Sequence, residues 1–227
     1  MKKISLPLFT MVELLVTISI IAILATMLLP AISKSMTKAR SVMCISNLRN
    51  IGTATISYLG DSNDYLPPTI TMGSAPYFDA MENYTGVKAV ISKLGIKGAG
   101  IYYCPSDVFR KNNVADDRMR FSYGLNTYAN ANSSFTNMLK QGKVRNPGNF
   151  LYRADAGNFG SASPGYAVTM GANSYPFNVN TAIDNDSYGA VDFRHASLCE
   201  VLWLDMHCSS QKLSFFHGKS TQYLYQY

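Results

Sequence analysis

The side chains best suited to chemistry lie near the end of the chain. His195, Cys199, Asp205 and His207 fall within one short segment, where they could be drawn as a nucleophile, a base and an orienting acid. The sequence around them has no nucleophile elbow, no phosphate-binding glycine loop and no HExxH helix. We therefore expect His195 to bond backbone near a hairpin and Asp205 to cap its turn. The sequence predicts a protein that is not an enzyme.

Acidic residues just before this segment raise the question of a metal. The stretch DNDSYGAVDFRH partly resembles a calcium-binding loop, with Asp184, Asp186 and Gly189 in the appropriate places. His195 occupies the twelfth place, where such a loop needs an acidic residue that binds the ion through both oxygens. A helix-loop-helix calcium site is therefore not predicted. An irregular calcium site at Asp184, Asp186 and Asp192 is the alternative to a solvated, turn-rich loop, and we expect no cofactor.

The four cysteines are an even set, which suits disulfides if their domain is exported. A bridge between Cys44 and Cys104 would fasten a globular head to a helix. Cys199 and Cys208 flank a predicted turn with Asp205 at its tip, in a register that leaves them about four residues apart, beyond bonding reach. Because the chain has no CxxC spacing, a structural zinc site is not expected.

The clearest element in the chain is the apolar segment 9–30, FTMVELLVTISIIAILATMLLP. Between Leu14 and Leu29 it has no charge, and its few hydroxyls can bond to the preceding helical turn. At about 1.5 Å per residue, the part before Pro30 just covers a hydrocarbon core of roughly 30 Å. A signal peptide is the rival interpretation, but the run is too long and ends in LLPAIS, a poor cleavage site. The sequence predicts one membrane-spanning helix.

Glu13 lies inside the front of this segment, where an unpaired carboxylate costs up to about 3 kcal/mol. A short basic leader, then Phe, Thr, two apolar residues, Glu and a long apolar helix resembles the N-terminus of type IV prepilins and of type II secretion pseudopilins. The resemblance implies that a prepilin peptidase cuts between Leu8 and Phe9 and methylates Phe9. It also implies that Glu13 pairs with the N-terminus of a neighbouring subunit during assembly, and that Pro30 kinks the helix.

The residue before the expected cut departs from the family pattern. Gly usually precedes the cut, whereas this chain has Leu8, preceded by Pro7. Either the peptidase of this system accepts a larger residue, or the chain stays unprocessed as a single-span anchor. The carboxylate favours processing, because an unprocessed chain offers Glu13 no obvious partner except a cation such as Lys3.

The distribution of charge argues against a nucleic-acid partner. Residues 1–60 carry +5 of the net charge of +6, and residues 61–227 carry only +1. The basic residues thus flank the apolar segment, although the sequence pI is about 9.1. Apolar residues continue at helical spacing beyond Pro30, among them Ile32, Met36, Met43 and Ile51, to a stop at Gly60. The expected domains are a leader (1–8), a transmembrane helix (9–30), its amphipathic continuation (31–60) and an external globular head (61–227).

The expected fold class is α+β, pilin-like: a long N-terminal helix, with its front half in the membrane, packed against a small antiparallel sheet of about four strands with long loops. Predicted strands cover residues 119–126 and 149–155, and a hairpin is predicted within 197–216. FRHASLCEVLWLDM resembles the His, nine residues, Asp-Gly signature of prepilin-like proteins from planctomycete and related bacteria. Here His195 and Asp205 match, and Met206 replaces the usual Gly.

The resemblance implies a subunit of a type IV pilus-like or type II secretion pseudopilus filament. Its partners would be other pilin-like subunits, met through the N-terminal helix, the prepilin peptidase and the membrane. The chain would cross the inner membrane once, with its head in the periplasm or outside the cell. The alternative is a monomeric membrane-anchored module that binds a glycan or protein ligand, since the fifteen Tyr and eleven Phe include many in Asn- and Gly-rich loops.

Overall fold

The computed structural model describes seven parts of the chain, namely residues 10–68, 76–87, 100–107, 122–126, 139–157, 169–170 and 190–216. The contacts divide the chain into two compact units, residues 1–39 and residues 40–227. Helix α1, Met11–Asp61, begins in the first unit and ends in the second.

The first unit consists of the apolar part of α1. Its large aliphatic side chains are mostly more than half exposed, and its most apolar window has a mean hydropathy of 2.5 with none of it buried. The hydroxyls of Thr17, Ser19 and Thr26 donate to carbonyl oxygens three or four residues earlier, at 2.7–2.8 Å, as the sequence indicated. By length and composition this helix can cross a membrane, near the N-terminus of the chain. Pro30 lies inside α1 and does not end it; a kink there stays a prediction.

The second unit contains an antiparallel sheet of four main strands, so the α+β class with one long helix is confirmed. The strands follow the order β1, β2, β5, β6. Two strands of two residues extend it, since β3 pairs in parallel with β1 and β4 pairs with β2. The strand bounds are Tyr123–Asn126 (β1), Leu151–Gly157 (β2), Thr169–Met170 (β3), Ala190–Val191 (β4), Leu198–Trp203 (β5) and Cys208–Lys212 (β6).

Short helices complete the second unit. Helix α2 covers Pro76–Thr85 and α3 covers Leu213–Phe216. Single 3-10 turns cover Gly100–Tyr102, Gln141–Lys143 and Pro147–Asn149. Beyond the end of α1, Tyr84 in α2 donates its hydroxyl to Asp61 Oδ2 at 2.9 Å, and this bond holds α2 near the last turn of α1.

The core of the second unit forms between α1 and the sheet. Leu48 and Ile51 of α1 are fully buried in one cluster with Tyr123, Tyr152 and Leu202. The helix and sheet are close at Gly52, where an added Cβ would lie 3.2 Å from the Leu202 side chain. A side chain at this position would require Leu202 to shift slightly.

The buried face of α1 differs from the predicted one. Met43 was expected to face the head, but it is 56% exposed. The helix instead buries the row Ser41, Cys44, Leu48, Ile51, Gly52, Ala54, Thr55 and Leu59. The error arose because a search for apolar spacing passes over small polar residues. Thr55 can be buried because its hydroxyl donates to Ile51 O at 2.8 Å, and Ser41 bonds a carboxylate.

The disulfide between Cys44 and Cys104 is confirmed, with Cα atoms 5.3 Å apart. It joins α1 to the segment that follows the 3-10 turn Gly100–Tyr102. Cys199 is buried and free, and Cys208 is half-buried and free, in agreement with the expectation that these two do not reach each other.

Replacing both Cys44 and Cys104 by Ala should lower the free energy of unfolding of the second unit by about 2–4 kcal/mol, because the bridge closes a long loop in the unfolded chain. Urea unfolding of the full-length chain in detergent micelles, followed by the fluorescence of Trp203, measures the loss. Trp203 is the only tryptophan and is buried. The control is Cys208→Ala, which removes a free, half-buried thiol. Equal midpoints for the double variant and the control would contradict the structural role of the bridge.

Candidate functional site

Glu13 has a partner within its own chain. The backbone N–H and the hydroxyl of Thr10 both donate to Glu13 Oε2, at 2.9 and 2.8 Å, and the Glu13 N–H donates to Thr10 Oγ1 at 3.2 Å. This reciprocal arrangement is a capping box, which satisfies donors at the start of a helix. The Thr-x-x-Glu spacing was visible in the sequence, but the expectation that an unprocessed chain offers Glu13 no obvious partner except a cation such as Lys3 did not consider Thr10 and is wrong.

The remaining processing residues cannot be placed. Leu8 and Phe9 lie outside the described residues, so cleavage between them and methylation of Phe9 stay predictions. The role of Glu13 in assembly also stays a prediction.

His195 sits in a tight turn beside the disulfide. Its backbone N–H donates to Leu198 O at 3.2 Å, and Leu198 N–H donates back at 3.0 Å. Ala196 and Ser197 between them have positive φ values of 52° and 65°, which two-residue hairpin turns require. The turn directs the imidazole inward, where it is buried and its Nε2 lies 3.2 Å from Cys104 Sγ.

The carboxyl group of Asp155 on β2 lies next to the same imidazole. Its Oδ2 accepts the Glu200 N–H at 2.8 Å and lies 3.5 Å from His195 Nε2. Burial raises the pKa of Asp155 well above its usual value, against the opposing charge of Arg194. Burial also lowers the pKa of His195, although Glu200 acts in the other direction. Both shifts favour the neutral forms of the two groups.

Arg194 is the cation that holds this region together. Its Nη1 lies 2.8 Å from Asp107 Oδ2 and its Nη2 lies 2.8 Å from Asp192 Oδ2, and its side chain is only 6% exposed. Asp107 also accepts the hydroxyl of Ser122 at 2.7 Å. Burial disfavours the guanidinium charge, but the carboxylates of Asp155, Asp192 and Asp107 outweigh it and raise the pKa of Arg194. Arg194 therefore ties the segment after Cys104 to the segment before β5.

The weak calcium proposal involves one described residue. Asp184 and Asp186 lie outside the described residues, and the carboxylate of Asp192 pairs with Arg194. A calcium ion at Asp192 would have to replace this guanidinium or share the carboxylate with it.

Glu200 on β5 is a buried carboxylate that the sequence analysis did not single out. It accepts the hydroxyls of Ser41 on α1 and Ser210 on β6, each at 2.6 Å. These bonds join the helix to both strands of the C-terminal hairpin. A glutamate between apolar residues in a strand is a weak signal by itself, because it normally marks an exposed face.

Asp205 lies in the turn of that hairpin and is exposed. Its Oδ1 accepts the backbone N–H of His207 at 3.1 Å and lies 2.6 Å from His207 Nδ1. The predicted register was wrong by one residue, because Cys208 pairs with Leu202 instead of Trp203. Met206 adopts φ 68° in this turn, a conformation that glycine adopts at no steric cost.

His195 and Asp205 therefore lie beyond opposite ends of β5, about 20 Å apart along the strand. They do not form one catalytic set. Cys199 is a poor nucleophile in its place, since burial raises the pKa of its thiol well above the usual value and the thiolate is the reactive form. No family model, curated protein or solved structure matches this chain. Within the described residues, the buried groups Asp155, His195 and Glu200 and the partly buried ion-paired groups Asp107, Asp192 and Arg194 form one polar cluster.

Replacing Arg194 by Met should lower the free energy of unfolding by about 3 kcal/mol, since it leaves two poorly solvated carboxylates without their cation. The matched control is Arg145→Met, because the Arg145 side chain is exposed and such a change usually costs less than about 0.5 kcal/mol. Urea unfolding followed by Trp203 fluorescence measures both. Similar midpoints for the two variants would show that Arg194 does not stabilise the cluster.

Proposed function

We propose that this protein is a structural subunit of a type IV pilus-like or type II secretion pseudopilus filament, anchored in the inner membrane by its N-terminal helix after processing by a prepilin peptidase. The observation that carries the proposal is the double use of α1. Its first part exposes an apolar surface long enough to cross a membrane, and its last part supplies a buried face to the core of the head. A detachable export signal would not need to be continuous with a core helix.

The exposed apolar side chains in the first part of α1 are available to pack against the helices of other subunits. Side chains from Met11 to Leu29 have no cover within their own unit, so lipid or the helices of other subunits must cover them. In lipid, helix association depends on close packing and on polar contacts rather than on the hydrophobic effect. A carboxylate near the front of the helix would supply such a contact if the methylated terminus of an adjacent subunit, at Phe9, met Glu13.

One observation favours the second candidate function. Because Thr10 already bonds both the carboxylate and the backbone of Glu13, this glutamate does not require a neighbouring subunit. A monomeric membrane-anchored binding module would use the same helix with Glu13 as a cap only. The two functions differ in whether the chain is cut after Leu8 and in whether assembly needs the charge of Glu13.

Intact mass and N-terminal sequencing of the protein from its native membrane should find a chain that begins with N-methylated Phe9. That result means that the peptidase accepts Leu8 and that the terminus is ready to meet Glu13. A chain that still begins with Met1 would favour the anchored module and would leave Glu13 without the cation that assembly needs.

Glu13→Gln separates the charge from the cap, because Gln also serves in a capping box. Under the filament proposal, Glu13→Gln and Glu13→Ala both abolish or slow filament formation and leave membrane insertion intact. Thr10→Ala removes the cap, at a cost of about 1 kcal/mol, but keeps the charge and should still assemble. Electron microscopy and shearing of filaments measure assembly, and alkaline extraction measures insertion. Normal filaments from Glu13→Gln would falsify the charge mechanism, whereas loss of filaments only in Glu13→Ala and Thr10→Ala would assign Glu13 to the cap.

A further inference from the structure

Four ligand-type side chains converge around the disulfide. The Sγ atoms of Cys44 and Cys104 and the Nε2 atom of His195 lie within 4.8 Å of one another, and all three residues are buried. Asp155 adds a carboxylate, with Oδ2 at 3.5 Å from the same Nε2. Two sulfurs, one imidazole nitrogen and one carboxylate oxygen are a ligand set that zinc accepts.

We propose that, when the Cys44–Cys104 disulfide is reduced, the head binds a thiophilic divalent cation such as Zn²⁺ through Cys44, Cys104 and His195, with Asp155 as the fourth ligand. The disulfide and the metal exclude each other, since both use the same two sulfurs. The site is thus an alternative state of the junction that the disulfide occupies.

The distances between the ligand atoms fit this state. In a tetrahedral zinc site, with bonds of about 2.3 Å to sulfur and 2.0 Å to nitrogen or oxygen, neighbouring ligand atoms are about 3.3–3.8 Å apart. His195 Nε2 lies 3.2 Å from Cys104 Sγ and 3.5 Å from Asp155 Oδ2. The two sulfurs need to separate, from a bonded distance near 2.05 Å to about 3.7 Å. Rotation of the two cysteine side chains can provide this change.

The hydrogen bonds around Asp155 also leave one of its oxygen atoms available to a cation. The Asp155 carboxyl is fully buried; its Oδ2 atom accepts a single hydrogen bond, from the Glu200 N–H at 2.8 Å, and its Oδ1 atom has no hydrogen-bond partner among the described residues. A buried oxygen without a partner is costly unless a proton or an ion satisfies it. Arg194, the nearby cation, already pairs with Asp107 and Asp192.

The ligands come from four separate segments of the second unit. Cys44 lies on α1, Cys104 follows a 3-10 turn, Asp155 lies on β2 and His195 precedes β5. A metal would therefore crosslink the same two segments that the disulfide crosslinks, and in addition β2 and the turn before β5. The reduced head would keep a crosslink at its helix-sheet junction.

The chemistry balances with a dithiol as the reductant. The dithiol gives two electrons and two protons to the Cys44–Cys104 bond, which becomes two thiols, while the reductant closes its own disulfide. Binding of Zn²⁺ then displaces the two thiol protons, together with any proton on the Asp155 carboxyl, to water, and His195 binds as the neutral imidazole through Nε2. Reoxidation forms the sulfur–sulfur bond again and releases the ion.

Cobalt titration of the full-length chain in detergent micelles tests the proposal, with Co²⁺ alone as the spectroscopic probe for Zn²⁺. The protein carries Cys199→Ala and Cys208→Ala, so that only the two site cysteines remain, and is reduced under anaerobic conditions. We expect one Co²⁺ per chain, with thiolate-to-cobalt charge-transfer bands and the ligand-field bands of a tetrahedral site. Zn²⁺ should displace the cobalt, and the disulfide form should bind neither.

Two matched histidine variants test whether His195 is the metal ligand. His195→Gln should weaken cobalt binding at least tenfold and change the ligand-field bands, whereas His207→Gln, at an exposed histidine, should leave both unchanged. Thermal unfolding of the reduced protein should shift upward with Zn²⁺ in the His207→Gln variant, as expected for a ligand of the folded state. Equal binding by both variants, or bands that persist in urea, would overturn the proposal, because the thiols would then bind metal without the folded site. Absence of the bands in a reduced chain that remains folded would overturn it as well.

Discussion

Burial of one face of α1 under the sheet is the interaction on which the rest of the head depends. The face is not a simple apolar stripe, since it includes Ser41, Gly52 and Thr55 beside Leu48 and Ile51. Small residues let the sheet approach closely, and the larger ones fill the space on either side. The strand β5 lies at the centre of this arrangement, because Leu202 packs beside Gly52 of the helix and Glu200 accepts the hydroxyl of Ser41.

Around this apolar contact, the head buries several polar groups. Arg194 pairs with two carboxylates, Glu200 accepts two serine hydroxyls, and Asp155 meets His195. Such groups add little net stability, because each must lose its water. They do require a defined geometry, since a small displacement would leave a buried charge unpaired. We infer that they fix the position of the segments that have little regular secondary structure.

The elements that could be predicted from the sequence are those with a strong local signal. The apolar segment, the long helix, the main strands β1 and β2 and the hairpin of β5 and β6 each follow from periodicity or composition. The Cys44–Cys104 pair was predicted because both residues could reach the junction of helix and head. The Thr10–Glu13 cap had a local signal too, and was passed over because a neighbouring subunit offered a different explanation for Glu13.

Other features depend on contacts between distant parts of the chain and had no such signal. Ser41 and Glu200 each resemble an exposed residue until their partner is known. The three-residue turn around Asp205 shifted the hairpin register by one, because Met206 takes a backbone conformation that favours glycine. Arg194 is next to His195 in the sequence. Its partner Asp107 is far from it in the sequence and reaches Arg194 only in the folded protein. Sequence periodicity describes one segment at a time, and these contacts join segments far apart in the chain.

The covalent link between α1 and the sheet side of the head has a mechanical consequence. If tension acts along the last part of α1, hydrogen bonds such as Ser41 to Glu200 would carry only a small load before they break. The Cys44–Cys104 bond transmits the pull directly to the segment after Gly100–Tyr102, and the covalent chain carries it from there to the rest of the head. A force applied along α1 would then move the head without separating it from the helix.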